Sequence, residues 1–272
     1  MNFHLHIPAG QLAQFIQSMA YFDEYTPDYE KERLLPDGCQ TLIIDLTETP
    51  KRIFDNVSLT DKQVCKNYWF SGARNELLTI DAGGINSSML VINFTFTGAY
   101  QFIHHPSEQT KSQVIAADVF FQSQIHALRD QLLNTEEVVT KFCVAEHFLY
   151  QRLLDQSPPE AIVKASTLIA SNPQTGTLKW ISDNSGYSQK HFIGLFKKYV
   201  GLTPKGFQKV MRFQKVIHDL ETMNSINWTQ LALDCGYFDQ AHFINEFKAF
   251  SGFNPQQYLM EKGPDLNYIP LR

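Results

Sequence analysis

The chain has 272 residues, 43% of them hydrophobic and 19% charged, with a formal net charge of −5. That length and composition fit a globular protein of two ordinary domains. The sequence shows no charged-then-apolar leader and no apolar run near 18 residues, which argues against a membrane span and for a cytoplasmic location. The charge is unevenly divided: residues 1–159 carry 11 Lys and Arg against 19 Asp and Glu, while residues 160–272 carry 12 against 9. The second half is therefore the basic one, though its modest excess predicts weak, salt-dependent nonspecific attraction to a polyanion.

Taken in order, the first half reads as mixed α and β. Leu12, Phe15, Ile16 and Met19 have helical spacing, and Pro8-Ala9 suits a first turn. Pro36-Asp37-Gly38 is a turn, and Cys39 to Leu46 follows as a buried strand around Leu42-Ile43-Ile44. Further strands are expected at Lys51 to Leu59, Leu77 to Asp81 and Met89 to Thr97. In the last of these, Leu90, Ile92, Phe94 and Phe96 alternate with Val91, Asn93 and Thr95. Gln124 to Leu133 predicts a helix. Asn134-Thr135-Glu136-Glu137 then reads as a capping box opening a second helix, whose apolar stripe runs through Val138, Val139, Phe142, Phe148, Leu149, Leu153 and Leu154. Such a stripe faces its own core more often than a second copy, so packing is the expectation and a homodimer surface the alternative. Ser157-Pro158-Pro159-Glu160 predicts a capped helix start, a short stiff junction between domains at 1–156 and 157–262, with 263–272 as a tail. A support helix from Ala161 to Ala170 ends at Asn172-Pro173. Cys39, Cys65, Cys143 and Cys235 lack C-x-x-C spacing and are expected to be reduced thiols.

The second half contains one text twice. Gly186 to Phe207 returns as Gly236 to Tyr258, and His191/His242, Phe192/Phe243, Phe196/Phe247, Lys197/Lys248, Gly201/Gly252, Pro204/Pro255 and Phe207/Tyr258 are each 51 positions apart. The second copy has one extra residue in its turn. A register pinning glycines and prolines as well as aromatics marks two copies of one structural unit. Each copy has a short apolar run (Leu178, Ile181; Trp228, Leu231, Ala232), a Gly before an aromatic, a capping residue (Ser188; Asp239), and a second helical run ending at Gly-x-x-Pro. Glycine supplies the bend, Ser or Asp accepts from free helix N–H groups, and Gly then Pro stops the next helix. The product is helix, sharp turn, helix, twice, joined by a longer helix from Pro204 to Thr222. Such a bipartite reader places the second helix of each pair in successive major grooves, about one DNA turn apart.

This repeat resembles the AraC/XylS family of bacterial transcription regulators. The residues carrying the resemblance are Asn227-Trp228, Leu231-Ala232, Gly236-Tyr237, Asp239, Ala241-His242-Phe243, Phe247-Lys248, Gly252, Asn254-Pro255 and Tyr258, together with Phe207, Arg212-Phe213, Val216 and Leu220 on the connecting helix. It covers about 100 of the 272 residues. Three positions depart from the family pattern: Ser182 replaces a buried Ala, while Asn245 and Leu259 stand where the family tends to place Arg. The last two remove cations and should weaken phosphate contact. More weakly, Leu35-Pro36-Asp37-Gly38 and Phe96-Thr97-Gly98-Ala99 resemble places in a barrel-like sensor domain found ahead of the DNA-binding part in a subset of the family. The expected fold is thus α+β: an N-terminal mixed α/β, barrel-like (cupin-like) domain before an all-α domain with two helix-turn-helix units.

Helical periodicity sorts the candidate contact residues. Phe192, Leu195 and Phe196 point inward on the first recognition helix, leaving Lys190, Ile193, Gly194 and Lys197 outward. On the second, Phe243 and Phe247 point inward, leaving Gln240, Ala241, Ile244, Asn245 and Lys248. Gln240 and Asn245 suit adenine, Ala241 and Ile244 a thymine methyl, and Lys190 a guanine. Lys197, Lys198 and Lys248 suit phosphate, as do the N–H groups at helix starts capped by Ser188 and Asp239. His191, His242, Trp180 and Trp228 read as packing residues. The resemblance implies double-stranded DNA as partner, RNA polymerase as a second, a small-molecule effector and activation of transcription. No G-x-S-x-G, phosphate loop or dinucleotide fingerprint is present, so no enzyme and no cofactor is expected. The alternative is a metal-dependent or enzymatic barrel fused to a DNA-binding module. His4-x-His6 and His104-His105 are its only histidine clusters, and the further Glu and His of a cupin site are missing.

Overall fold

The computed structural model describes residues 1–174, 177–223, 226–263 and 265–272. The first half supplies ten strands: β1 Asn2–His6, β2 Ile16–Tyr25, β3 Lys31–Leu34, β4 Thr41–Asp45, β5 Lys51–Phe54, β6 Asp61–Cys65, β7 Tyr68–Ser71, β8 Leu78–Asp81, β9 Ser87–Phe94 and β10 Val114–Ala116. A last strand, β11 Tyr268–Leu271, returns from the chain's end to pair with β3. They form two antiparallel sheets, ordered β1-β2-β9-β4-β7-β10 and β11-β3-β8-β5-β6. Both sheets keep free edges, so the barrel-like body is an open pair of sheets. The Gln63 amide on β6 donates to the Val114 carbonyl on β10 at 2.8 Å, tying the two edges on one side.

Period-two alternation decides what each face of the larger sheet meets. Leu42, Ile44, Phe70, Leu90, Ile92 and Phe94 are buried against the helices α1 Tyr100–Ile103, α2 Asp118–Phe121, α3 Ser123–Leu133 and α4 Val138–Tyr150. Each such side chain contributes about 1.5–3 kcal/mol. Of the expected stripe, Phe142 and Leu149 belong to the same core and Val138, Phe148 and Leu153 pack against it, whereas Val139 is exposed. The opposite face joins neither large core cluster: half-buried Ala20, Val91, Ile43 and Trp69 lie in register across four strands, with exposed Leu5 on β1 beside Ala20.

Three local expectations are corrected. The spacing Leu12, Phe15, Ile16, Met19 is not a helix but a 3-10 turn, Leu12–Gln14, followed by β2. Asn134 does not open α4: its side chain donates back to the Asp130 carbonyl, and Glu137 precedes α4 without a side-chain cap. The Lys141 ammonium instead covers the carbonyls of Leu132 and Thr135 at the end of α3. At the junction, Ser157 makes no cap, and Pro159 leads into α5 Glu160–Ser171.

The remaining helices are α6 Thr177–Asn184, α7 Gln189–Val200, α8 Pro204–Thr222, α9 Trp228–Asp234, α10 Gln240–Ser251 and α11 Pro255–Glu261. Their core is aromatic, with Phe192, Phe196, Phe207, Phe213, Phe243, Phe247 and Tyr258 fully or almost fully buried. Leu35, Ala73, Leu77 and Ile269 from the sheet body belong to this same cluster. Among the described residues, no helix is long and apolar enough to cross a membrane.

Candidate nucleic-acid interface

The two units repeat in geometry as they do in text. Gly186 and Gly236 take left-handed backbone at the inner turn, φ +76° and +79°, and Gly201 and Gly252 do so where α7 and α10 end, φ +87° and +76°. Such values are open to glycine at little cost. Ser188 caps α7 by accepting from the His191 N–H at 3.4 Å, and Asp239 caps α10 by accepting from the His242 N–H at 2.7 Å. Thr203 caps α8, and Asn254 with Gln257 forms a reciprocal capping box on α11. The first-turn N–H groups these caps leave over lie among mostly exposed residues, an arrangement suited to anions.

The side chains proposed from sequence fall into three groups. Lys190, Gly194, Ala241, Asn245 and Lys248 are exposed along the outer faces of α7 and α10, and a Cβ on Gly194 would meet open space. Ile193 and Ile244 turn partly inward and pack against the aromatic core, because a stripe built on Phe192/Phe196 or Phe243/Phe247 is wide enough to take the neighbouring position. Gln240 is half-buried, and its amide oxygen accepts from the Thr229 hydroxyl at 3.0 Å. Lys197 and Lys198 are held by the sheet body. Lys197 pairs with Glu108, and the Lys198 ammonium lies 4.9 Å from the Tyr100 ring centroid. A hydrogen bond to Tyr100 raises the Lys198 pKa above the ordinary lysine value, so it stays cationic.

His191 packs on the Tyr187 ring and His242 on that of Tyr237, each beside its turn. Trp228 stacks on Phe243. The side chains of Trp180 and Ser182 lie outside those described.

Sequence reasoning missed the ion pair that fixes the second recognition helix. Glu246 on α10 accepts from Arg212 at 2.8 Å and from Lys209 at 2.7 Å, both on α8. Arg212 also donates to the Gly236 carbonyl at 3.0 Å and lies 4.5 Å over the Tyr237 ring. One buried guanidinium therefore joins α8, the inner turn and α10. Burial pushes the Tyr237 phenol well above its usual range. The first unit has Leu195 at the matching place, so comparing the two copies at this position was the signal available.

Residues 181–261 match the family described as a helix-turn-helix domain. This part of the chain is an AraC-type helix-turn-helix domain. Residues 4–116 match a second family, described only as a domain of unknown function, DUF6597. An uncharacterized HTH-type transcriptional regulator of Haemophilus influenzae is 23% identical over 199 residues, covering 72% of this chain and 62% of the relative. The chain thus spans less than two thirds of that relative's length. Among solved structures, ToxT from Vibrio cholerae is similar at 13% identity, over 89% of this chain and 98% of that one, with a TM-score of 0.49. A ToxT structure with bound unsaturated fatty acid is similar at 12% identity, over 95% of each chain, with a TM-score of 0.48. In the AraC-type domain of this chain, α7 and α10 are the second helices of the two units.

Proposed function

We propose that the chain is a sequence-specific DNA-binding transcription regulator, an activator that meets RNA polymerase at its promoter, and that α7 and α10 read successive major grooves. The observation carrying this is the duplicated unit, with matching caps, matching left-handed glycines and two outward faces presenting Lys190, Ala241, Asn245 and Lys248. The second helix holds more of the base-reading chemistry. Asn245 can pair with adenine through two hydrogen bonds, whereas Gly194 on the first helix offers none, so α7 relies more on phosphate and DNA shape. The half-buried apolar face around Ile43, Trp69, Met89 and Val91 supports a small ligand as modulator, since a face left out of both cores gains by covering apolar area. No catalytic role is proposed.

Fluorescence anisotropy with a duplex from the gene's own upstream region, against a scrambled duplex at two salt concentrations, tests the reading. Tight binding to the first alone is expected. Asn245→Ala should cost about 1–3 kcal/mol there and relax preference at one base pair. Equal affinity for both duplexes, or an unchanged base preference in the variant, would refute the assignment.

A further inference from the structure

The end of the first recognition helix is held by the sheet body through a built contact. The Lys197 ammonium lies 2.5 Å from a carboxylate oxygen of Glu108, which sits in the 3-10 turn Ser107–Thr110. Ser107, fully buried, donates its hydroxyl to the Tyr199 carbonyl at 3.1 Å. The Tyr100 and Tyr199 rings meet with centroids 4.8 Å apart. Gly201 is what lets the turn come so near, since a Cβ there would stand 3.1 Å from the Ser107 carbonyl oxygen. Lys248, the counterpart of Lys197 in the second unit, is exposed and makes no ion pair among the described residues.

We propose that Glu108 occupies, within the chain itself, the place of a DNA phosphate at the C-terminal end of α7, so that the sheet body withholds the first unit while the second stays available. The inference rests on the DNA-binding reading above. A carboxylate and a phosphate oxygen accept the same charge-assisted hydrogen bond from an ammonium group, so they compete for one lysine. A phosphate that displaces Glu108 also leaves a carboxylate beside the DNA backbone, and like charges repel. The Lys197 and Glu108 side chains are 40% and 38% exposed, so the pair is solvent-screened and weak, as suits a contact that must exchange. In the closed arrangement the chain grips DNA through α10. Opening adds α7, and a ligand that loosens the sheet body would thereby raise affinity.

The test uses the full chain and four proteins: wild type, Glu108→Gln, Lys197→Ala and the double variant. Duplex affinity is measured across a salt series. Glu108→Gln is expected to tighten binding about threefold, on the scale of an exposed ion pair, and to steepen the dependence of log affinity on log salt by about 0.9, the value of one phosphate contact. In the Lys197→Ala background the same change should tighten binding less, by the relief of carboxylate repulsion alone, and should not add the slope of a phosphate contact. Independently, carbodiimide should join Lys197 to Glu108 in the free wild-type protein, read by peptide mass spectrometry, and saturating duplex should suppress that link. An unchanged affinity and slope in Glu108→Gln, an equal gain with and without Lys197, or a link that persists on bound DNA would each overturn the proposal. If none of the four proteins binds any duplex at low salt, the DNA-binding reading itself falls, and this inference with it.

Discussion

Glu246 shows how much one side chain can decide. It is 8% exposed, and Arg212 beside it is 7% exposed, so each charge has given up water for the other. Removing one partner of such a pair leaves an uncompensated buried charge, which costs about 3–5 kcal/mol. Glu246→Leu, which copies Leu195 of the first unit, should therefore lower the melting temperature by roughly 10 °C. Adding Arg212→Met should recover most of that loss. A single variant melting within roughly 2 °C of wild type would show that the pair is not holding α10. Glu32 poses the opposite case, a buried carboxyl with no ion-pair partner among the described residues: burial pushes its pKa from 4.5 up to about 8, and it accepts a hydrogen bond from the Tyr29 hydroxyl at 3.2 Å. Because the folded pKa lies above the unfolded one, folding favours the protonated form. The contribution of Glu32 to stability is fully present below about 4.5 and is lost as pH rises through about 8. Glu32→Gln should accept the same tyrosine bond without the loss. The melting temperature of the variant relative to wild type should climb between pH 5 and 8 and then level off, whereas a pH-independent difference would refute the assigned cause.

Elements were legible in the sequence to the degree that their cause is local. The caps Ser188 and Asp239 and the glycines ending α7 and α10 act over a turn or two, and the duplication stated each twice. The alternation from Leu90 to Phe94 gave β9 for the same reason. The segment around Ile16 misled because its cause is a long-range pairing. A register shift against β9 between Ile16 and Ser18 puts an extra residue into β2, so Ile16 and Met19, three apart, face the same core. A β-bulge thus imitates helical spacing. Asn134 misled in another way: a capping residue between two helices serves either one, and here it bonds back to the first. The outward sides of α7 and α10 were legible from the 3.6-residue period, but the hold on Lys197 was not, because Glu108 lies 89 positions away in the sequence.

At the scale of the whole molecule, the sheet body and the AraC-type domain share a seam built on the Pro36-Asp37-Gly38 turn and the end of the chain. Gln214 on α8 donates to the Pro36 carbonyl and to the Asn267 side chain, both at 2.8 Å. Tyr258 on α11 donates to the Leu266 carbonyl at 2.9 Å, just before β11 joins β3. Arg33 on β3 lies 4.6 Å from the Phe253 ring centroid, beyond the end of α10. The turn therefore meets the connecting helix, while β3 and β11 meet the second unit. Gly38 sits at the closest approach, with φ +77° and room for no side chain: a Cβ would stand 2.8 Å from both the Phe207 ring and the Met211 methyl. Met211 ends in a flexible methyl that can swing aside, but Phe207 is fully buried and held between Phe96 and Phe196. Gly38→Ala thus combines left-handed backbone strain with overpacking, each about 1–2 kcal/mol. Calorimetry should find the main transition lowered by roughly 5 °C or more. Because the seam is one cluster, the signals of Trp69 in the sheet body and Trp228 in the helical domain should shift together. An unshifted transition would mean that the turn does not carry the docking of α8, and a shift confined to Trp69 would mean that the two halves unfold independently.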